Sequence, residues 1–108
     1  MTPARKGAIP SGGSLLEPLI HGRVRLLILS YLISRAQSAT FTELRVELGL
    51  TDGTLSVHLS RLERGGVITV QRRFVGKRPQ TVIKITAEGR RRFDRYVTQL
   101  RQVIPGLD

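Results

Sequence analysis

The chain has 108 residues, 40 % of them hydrophobic, which suits one domain with its own core and excludes a disordered chain. There is no cysteine, so a disulfide framework, a thiolate metal site and a cysteine nucleophile are excluded. Eighteen Lys and Arg against eight Asp and Glu give a formal charge of +10, for which a polyanionic partner is the simplest rationale.

Residues 1–14 are rich in Pro, Gly and Ser and read as a flexible basic arm. Its Arg5 and Lys6 suit a DNA minor groove, although a tail without a role is the simpler reading. No long apolar core follows them, so no secretory signal is expected. The apolar stretch from Leu26 to Ile33 is too short to span a membrane. The expected location is therefore the cytoplasm, on the nucleoid if the partner is DNA.

A first helix is predicted from about Gly22 to Arg35. Val24, Leu27, Ile28, Tyr31 and Leu32 form one apolar stripe, and Leu26, Leu29 and Ile33 form another. A helix apolar on two sides is central to the core or shared with a partner subunit. A second helix is predicted from Thr42 to Leu48. Thr40 or Thr42 caps it, Thr40-x-x-Glu43 fits a capping box, and Gly49 ends the helix. Glu43 and Glu47 lie one turn apart, and a solvated face explains them better than acid–base chemistry does.

The third helix is predicted over 52–64, capped by Thr51, with Leu55, Leu59 and Leu62 turned inward. That places Gly53, Thr54, Val57, Ser60, Arg61 and Arg64 outward, with Ser56 and His58 on the flanks. An ordinary solvated helix carries Glu/Lys pairs here. These small and basic residues instead suit a major groove, with Arg61 for guanine and Val57 for a thymine methyl. Plainer readings stand beside each: Thr54 as a second cap, His58 as a half-buried hydrogen-bonding group, Arg64 as a cover for the helix C-terminus.

Val67–Phe74 and Thr81–Thr86 read as the strands of a hairpin, with 75–80 as its loop tip. Residues 67–86 hold five cations and no acid, half of the net charge. Arg72, Arg73, Lys77, Arg78 and Lys84 are candidate phosphate or minor-groove contacts, strongest at Lys77 and Arg78. A solubilising surface is the bland alternative. Thr86 caps a fourth helix, Ala87 to about Ile104, with Pro105 and Gly106 beyond it. Phe93, Tyr96, Val97, Leu100, Val103 and Ile104 give it a helix–helix seam. Arg90, Arg91 and Arg92 oppose the helix dipole at its start, which points equally to a nearby anion or to a tolerated solvated face.

A helix followed at once by a basic hairpin is the pattern of a winged helix-turn-helix. The expected fold is α+β: a three-helix core, a two-stranded wing and a C-terminal helix, all within residues 15–108. Paired carboxylates, a nucleophile–base set and a Gly-rich phosphate loop are missing, so no enzyme is expected. His21 and His58 are far apart in sequence and have no clustered ligands, so neither a metal nor another cofactor is expected.

The chain also resembles the winged-helix transcriptional regulators of bacteria and archaea grouped with the multiple-antibiotic-resistance and arsenic-responsive repressors. The resemblance lies in Leu50 with Thr51-Asp52-Gly53-Thr54-Leu55-Ser56-Val57-His58-Leu59, Leu62-Glu63 and Gly66. It continues in the wing, Phe74-Val75-Gly76-Lys77-Arg78-Pro79, and in Ile85-Thr86-Ala87-Glu88-Gly89-Arg90. It opens with His21-Gly22-Arg23-Val24-Arg25-Leu26-Leu27-Ile28-Leu29. The resemblance implies a homodimer built from terminal helices and bound to a pseudo-palindromic operator in double-stranded DNA. Leu26, Leu29, Phe93, Tyr96, Val97, Leu100, Val103 and Ile104 are the expected interface. Without cysteine, neither arsenic-type metal sensing nor a thiol switch carries over. A winged helix used for protein assembly or RNA binding is the alternative, and it would not need an acid-free basic hairpin.

Overall fold

The computed structural model describes residues 16–104 and 106; the basic arm of residues 1–14, with Arg5 and Lys6, and Pro105 lie outside them. The elements, in chain order, are α1 (Arg23–Ser34), β1 (Ser38–Thr40), α2 (Phe41–Leu48), α3 (Asp52–Arg64), β2 (Ile68–Val75), β3 (Arg78–Ile85) and α4 (Ala87–Val103).

In α1 the stripes overlap in three dimensions. Ile28, Leu29 and Leu32 are fully buried, while Val24, Leu26, Tyr31 and Ile33 pack partly exposed around the same core. The helix ends where Ala36 and Gln37 take φ of 60° and 75°, a conformation that side chains with a Cβ seldom adopt. The Gln37 N–H is satisfied by the Leu32 carbonyl at 2.8 Å, and the chain turns into β1.

β1 is a third strand that the sequence pattern did not announce. It pairs antiparallel with β3 in the register Ser38↔Lys84, Ala39↔Ile83 and Thr40↔Val82, giving the order β1-β3-β2. Three residues are too few to show a period of two. Thr40 closes the strand and also caps α2. Its Oγ1 accepts from the Glu43 N–H at 3.0 Å, and the Glu43 carboxylate accepts from the Thr40 N–H. Glu43 also accepts from the Tyr31 hydroxyl at 2.6 Å, which ties α1 to α2 and raises the Tyr31 pKa. α2 thus starts one residue before its predicted first residue, and it ends at Gly49 as expected.

The hairpin departs from expectation at its tip. The strands run to Val75 and from Arg78, so only Gly76 and Lys77 form the turn, and Pro79 lies within β3 opposite Phe74. Gly76 has φ of 65°, as the first central residue of a primed two-residue turn requires. Pro79 looked like a loop residue because proline cannot donate to a ladder, yet near a hairpin tip that missing donor is tolerated.

The core gathers Ile20, Ile28, Leu29, Leu32, Leu44, Leu55, Leu59, Leu62, Val67, Ile68 and Ile83, each at most 4 % exposed. α4 is joined to the end of α3 by polar contacts. The Thr86 hydroxyl donates towards the Gly66 and Val67 carbonyls, 2.7 and 3.0 Å away, and accepts from the Gly89 N–H at 2.8 Å. Arg92 donates to the Gly65 carbonyl at 2.8 Å and pairs with Glu17.

Candidate nucleic-acid interface

α3 presents the face its sequence predicts. Leu55, Leu59 and Leu62 are buried at 0, 4 and 0 % exposure, which turns Gly53, Thr54, Ser56, Val57, Ser60, Arg61 and Arg64 to the surface. Thr51 caps the helix by accepting from the Thr54 N–H at 3.1 Å, so the Thr54 side chain is not needed as a cap. Ser56, Val57, Ser60, Arg61 and Arg64 together line a shallow depression on this face. Val57 is an apolar group left 52 % exposed by the described residues.

His58 sits apart from the others. It is half-buried, and its Nδ1 faces Arg25 Nη1 of α1 at 3.5 Å. Burial lowers its pKa from the usual 6.5, and the charges of Arg25 and Arg61 lower it further. The imidazole is therefore neutral at pH 7. Because a guanidinium only donates, Nδ1 accepts and the ring proton sits on Nε2. The imidazole thus keeps one N–H donor beyond its partner.

Arg25 was not singled out from the sequence. α1 and α3 meet there, and no local pattern predicts which residues of two helices touch. The arginine run of α4 is resolved in favour of nearby anions, all from the same chain. Arg90 pairs with Asp94 at 3.2 Å, Arg91 with Glu88 at 2.5 Å, and Arg92 with Glu17. These three are engaged internally.

In the wing, Arg72 stands opposite Thr81, and both line a cleft of about 330 Å³ whose far wall is Ser56, Leu59, Ser60 and Glu63 of α3. Phe41, which no local sequence signal marks, also lines the cleft. The ribbon and the groove-type helix therefore share one concave side. Arg73 is held across the ribbon by donating to Gln80 Oε1 at 3.0 Å. Arg72, Lys77, Arg78 and Lys84 are exposed and have no ion pair among the described residues. This leaves an uncompensated positive ribbon beside a helix face of small and basic side chains, which suits a phosphate backbone flanking a groove.

The residues expected at a subunit interface divide. Leu29 and Tyr96 are corrected: Leu29 is 0 % and Tyr96 2 % exposed inside the protomer's own core, so neither offers surface. Both lie on seams that periodicity marks as apolar, and periodicity does not separate a core seam from an intersubunit one. The Tyr96 hydroxyl is instead within 2.6 Å of His21 Nδ1, and burial raises the tyrosine's pKa. Leu26, Phe93, Val97, Leu100 and Val103 are half-buried, and Ile104 is 42 % exposed.

Among the described residues no cluster of three His, Asp or Glu is placed to hold a metal ion. Nor is any described helix long and apolar enough to cross a membrane.

A helix-turn-helix with a basic β-ribbon beside its second helix defines the winged-helix class of DNA-binding domains. Residues 24–104 match the family described as "Winged helix DNA-binding domain", and the chain belongs to that family, whose members bind DNA and are not enzymes. It is 34 % identical over 86 residues to the uncharacterized protein MJ0432 of Methanocaldococcus jannaschii, covering 80 % of this chain and 90 % of that one. Among solved structures it is similar to a transcriptional regulator homologue from Pyrococcus horikoshii OT3. The TM-score is 0.79 at 33 % identity, over 89 % of this chain and 95 % of that one. It is also similar to AbfR in an overoxidized, DNA-bound state, with TM-score 0.65 and 26 % identity, over 75 % of this chain and 58 % of that one. The resemblance to winged-helix transcriptional regulators read from the sequence therefore holds in three dimensions.

Proposed function

We propose that this chain is a sequence-specific transcriptional regulator that binds a pseudo-palindromic operator as a homodimer. The observation that carries the reading is that α3 and the wing wall one cleft, Ser56 and Ser60 on one side and Arg72 on the other, with Val57 and Arg61 exposed on α3 beside it and Lys77 and Arg78 exposed at the wing tip, the three wing cations having no ion pair among the described residues. In this reading Gly53, Thr54, Ser56, Val57, His58, Ser60 and Arg61 face the major groove. Gly53 and Ser60 allow close approach, Arg61 reads guanine, and neutral His58 donates from Nε2. Arg72, Arg73, Lys77 and Arg78 neutralise flanking phosphates. DNA bound to AbfR, a structural neighbour, supports the choice of partner.

Leu26, Phe93, Val97, Leu100, Val103 and Ile104 form the subunit contact, which places two α3 helices about 34 Å apart on successive major grooves. Such a protein works in the cytoplasm, on the nucleoid. It needs no cofactor for binding.

The test is selection from a randomised duplex pool, followed by salt titration of the enriched sequences. A recovered palindrome bound well above random DNA is the expected result. Enrichment of no sequence, with a steep salt slope, would make the chain a non-specific coat. No binding at low salt would favour a protein-interaction module.

A further inference from the structure

The wing carries an apolar feature that phosphate binding does not use. Phe74 is 73 % exposed and Val75 is 55 % exposed, the last two residues of β2 before the turn. An exposed aromatic at a strand end keeps a large apolar area in water, and a burial partner would recover it.

Strand alternation places that ring. Cross-strand pairs Val70↔Ile83, Arg72↔Thr81 and Phe74↔Pro79 lie on one face of the ribbon. Ile83 is in the core, while Val70, Arg72 and Thr81 line the cleft against α3. Phe74 and Pro79 continue that face outward, past the end of the core, on the same side as the groove-type helix. Phe74 stands opposite Pro79 in the strand register, one residue from the two-residue turn. Around it stand Arg72, Lys77 and Arg78, without ion pairs among the described residues, in a stretch of 67–86 that contains no acid. The charge selects a polyanion, and the ring selects something apolar within it.

We propose that Phe74 is an apolar wedge that enters the minor groove flanking each half-site and partly unstacks a base step there, while Lys77 and Arg78 hold the adjacent phosphates. This rests on the DNA-binding reading above and adds a source of specificity to it. Base steps differ in how easily they unstack, with pyrimidine–purine steps the softest, so the wing discriminates among flanking sequences without a base hydrogen bond. The operator consequently carries a TA or CA step at a fixed distance outside each α3 contact.

The experiment uses the full chain and the duplex recovered from the pool, with 2-aminopurine at the flanking steps. Wild-type binding raises the fluorescence as the step unstacks. Phe74→Ala abolishes the rise and weakens binding about tenfold, the order expected for loss of one base–aromatic contact. It leaves the salt slope unchanged, because no cation is removed. Phe74→Leu, which keeps an apolar side chain, retains most of the affinity. Since Phe74 is exposed, thermal melting of the variants should match wild type. A wild-type chain that binds no duplex removes the DNA-binding reading itself. A wild-type chain that binds DNA with stacked flanks, or a Phe74→Ala variant that binds like wild type, overturns the wedge alone.

Discussion

On α3, Arg61 and Val57 project from a helix whose opposite face is sealed by three leucines, so their substitution alters recognition without loosening the core. Arg61→Ala is expected to weaken operator binding by roughly 1–3 kcal/mol and to relax preference at one base pair, measured by titrating single-base operator variants. Lys77→Ala is expected to weaken all sequences alike and to lower the salt slope by about 1. Reversed behaviour would exchange the roles of helix and wing. His58 makes a separate prediction. Its folded-state pKa lies below the 6.5 of the unfolded chain, so the folded form stays neutral where the unfolded form takes up a proton. Stability is therefore full above 6.5 and declines as pH falls from there towards the folded pKa. Denaturant midpoints compared between about pH 7.5 and pH 5.5 should show a steeper decline for wild type than for His58→Gln. The outward residues of α3 were legible in the sequence because a helix with one leucine seam has only one other face. Arg25 beside His58 was not, since helix crossings are set by packing rather than by local order.

At the level of elements, the start of α4 is constrained by close approach. Gly89 is buried in the first turn, and a Cβ there would collide with the Val67 carbonyl oxygen and its own carbon, both backbone atoms. Gly89→Ala should lower stability by about 2 kcal/mol or more, the range of overpacking against rigid neighbours. A midpoint equal to wild type would show that the strand end yields. Helices and hairpin were visible in the sequence because their periods and caps agree: Thr51 and Thr86 cap as read, and of Thr40 and Thr42 it is Thr40 that caps α2. β1 was hidden by its length. The extent of the wing was hidden by Gly76 and Pro79, which signal turns although only the first lies in one. The strand character of residues 78–80 comes from pairing with β2, a tertiary fact.

For the whole molecule, the apolar residues left uncovered on α4 set the assembly prediction. Leu100→Glu should turn a dimer into a monomer in sedimentation at micromolar protein and weaken operator binding in parallel. Unchanged sedimentation would place the contact elsewhere. The sequence marked this seam correctly as apolar but did not separate its two layers. Tyr96 faces the protomer's interior, whereas Ile104 stays 42 % exposed.

The stitches between residues 65–67 and residues 86, 89 and 92 make the end of α3 and the start of α4 a single rigid corner. In the proposed dimer α4 then carries the recognition helix at its start, while Val97, Leu100, Val103 and Ile104 hold the partner along its second half. Its 17 residues span about 25 Å. A tilt of about 10° at the far end moves the corner by roughly 4 Å, close to the ~3.4 Å rise of one base pair. A small adjustment where the subunits meet is thus enough to put the two reading helices one base pair out of register with their operator.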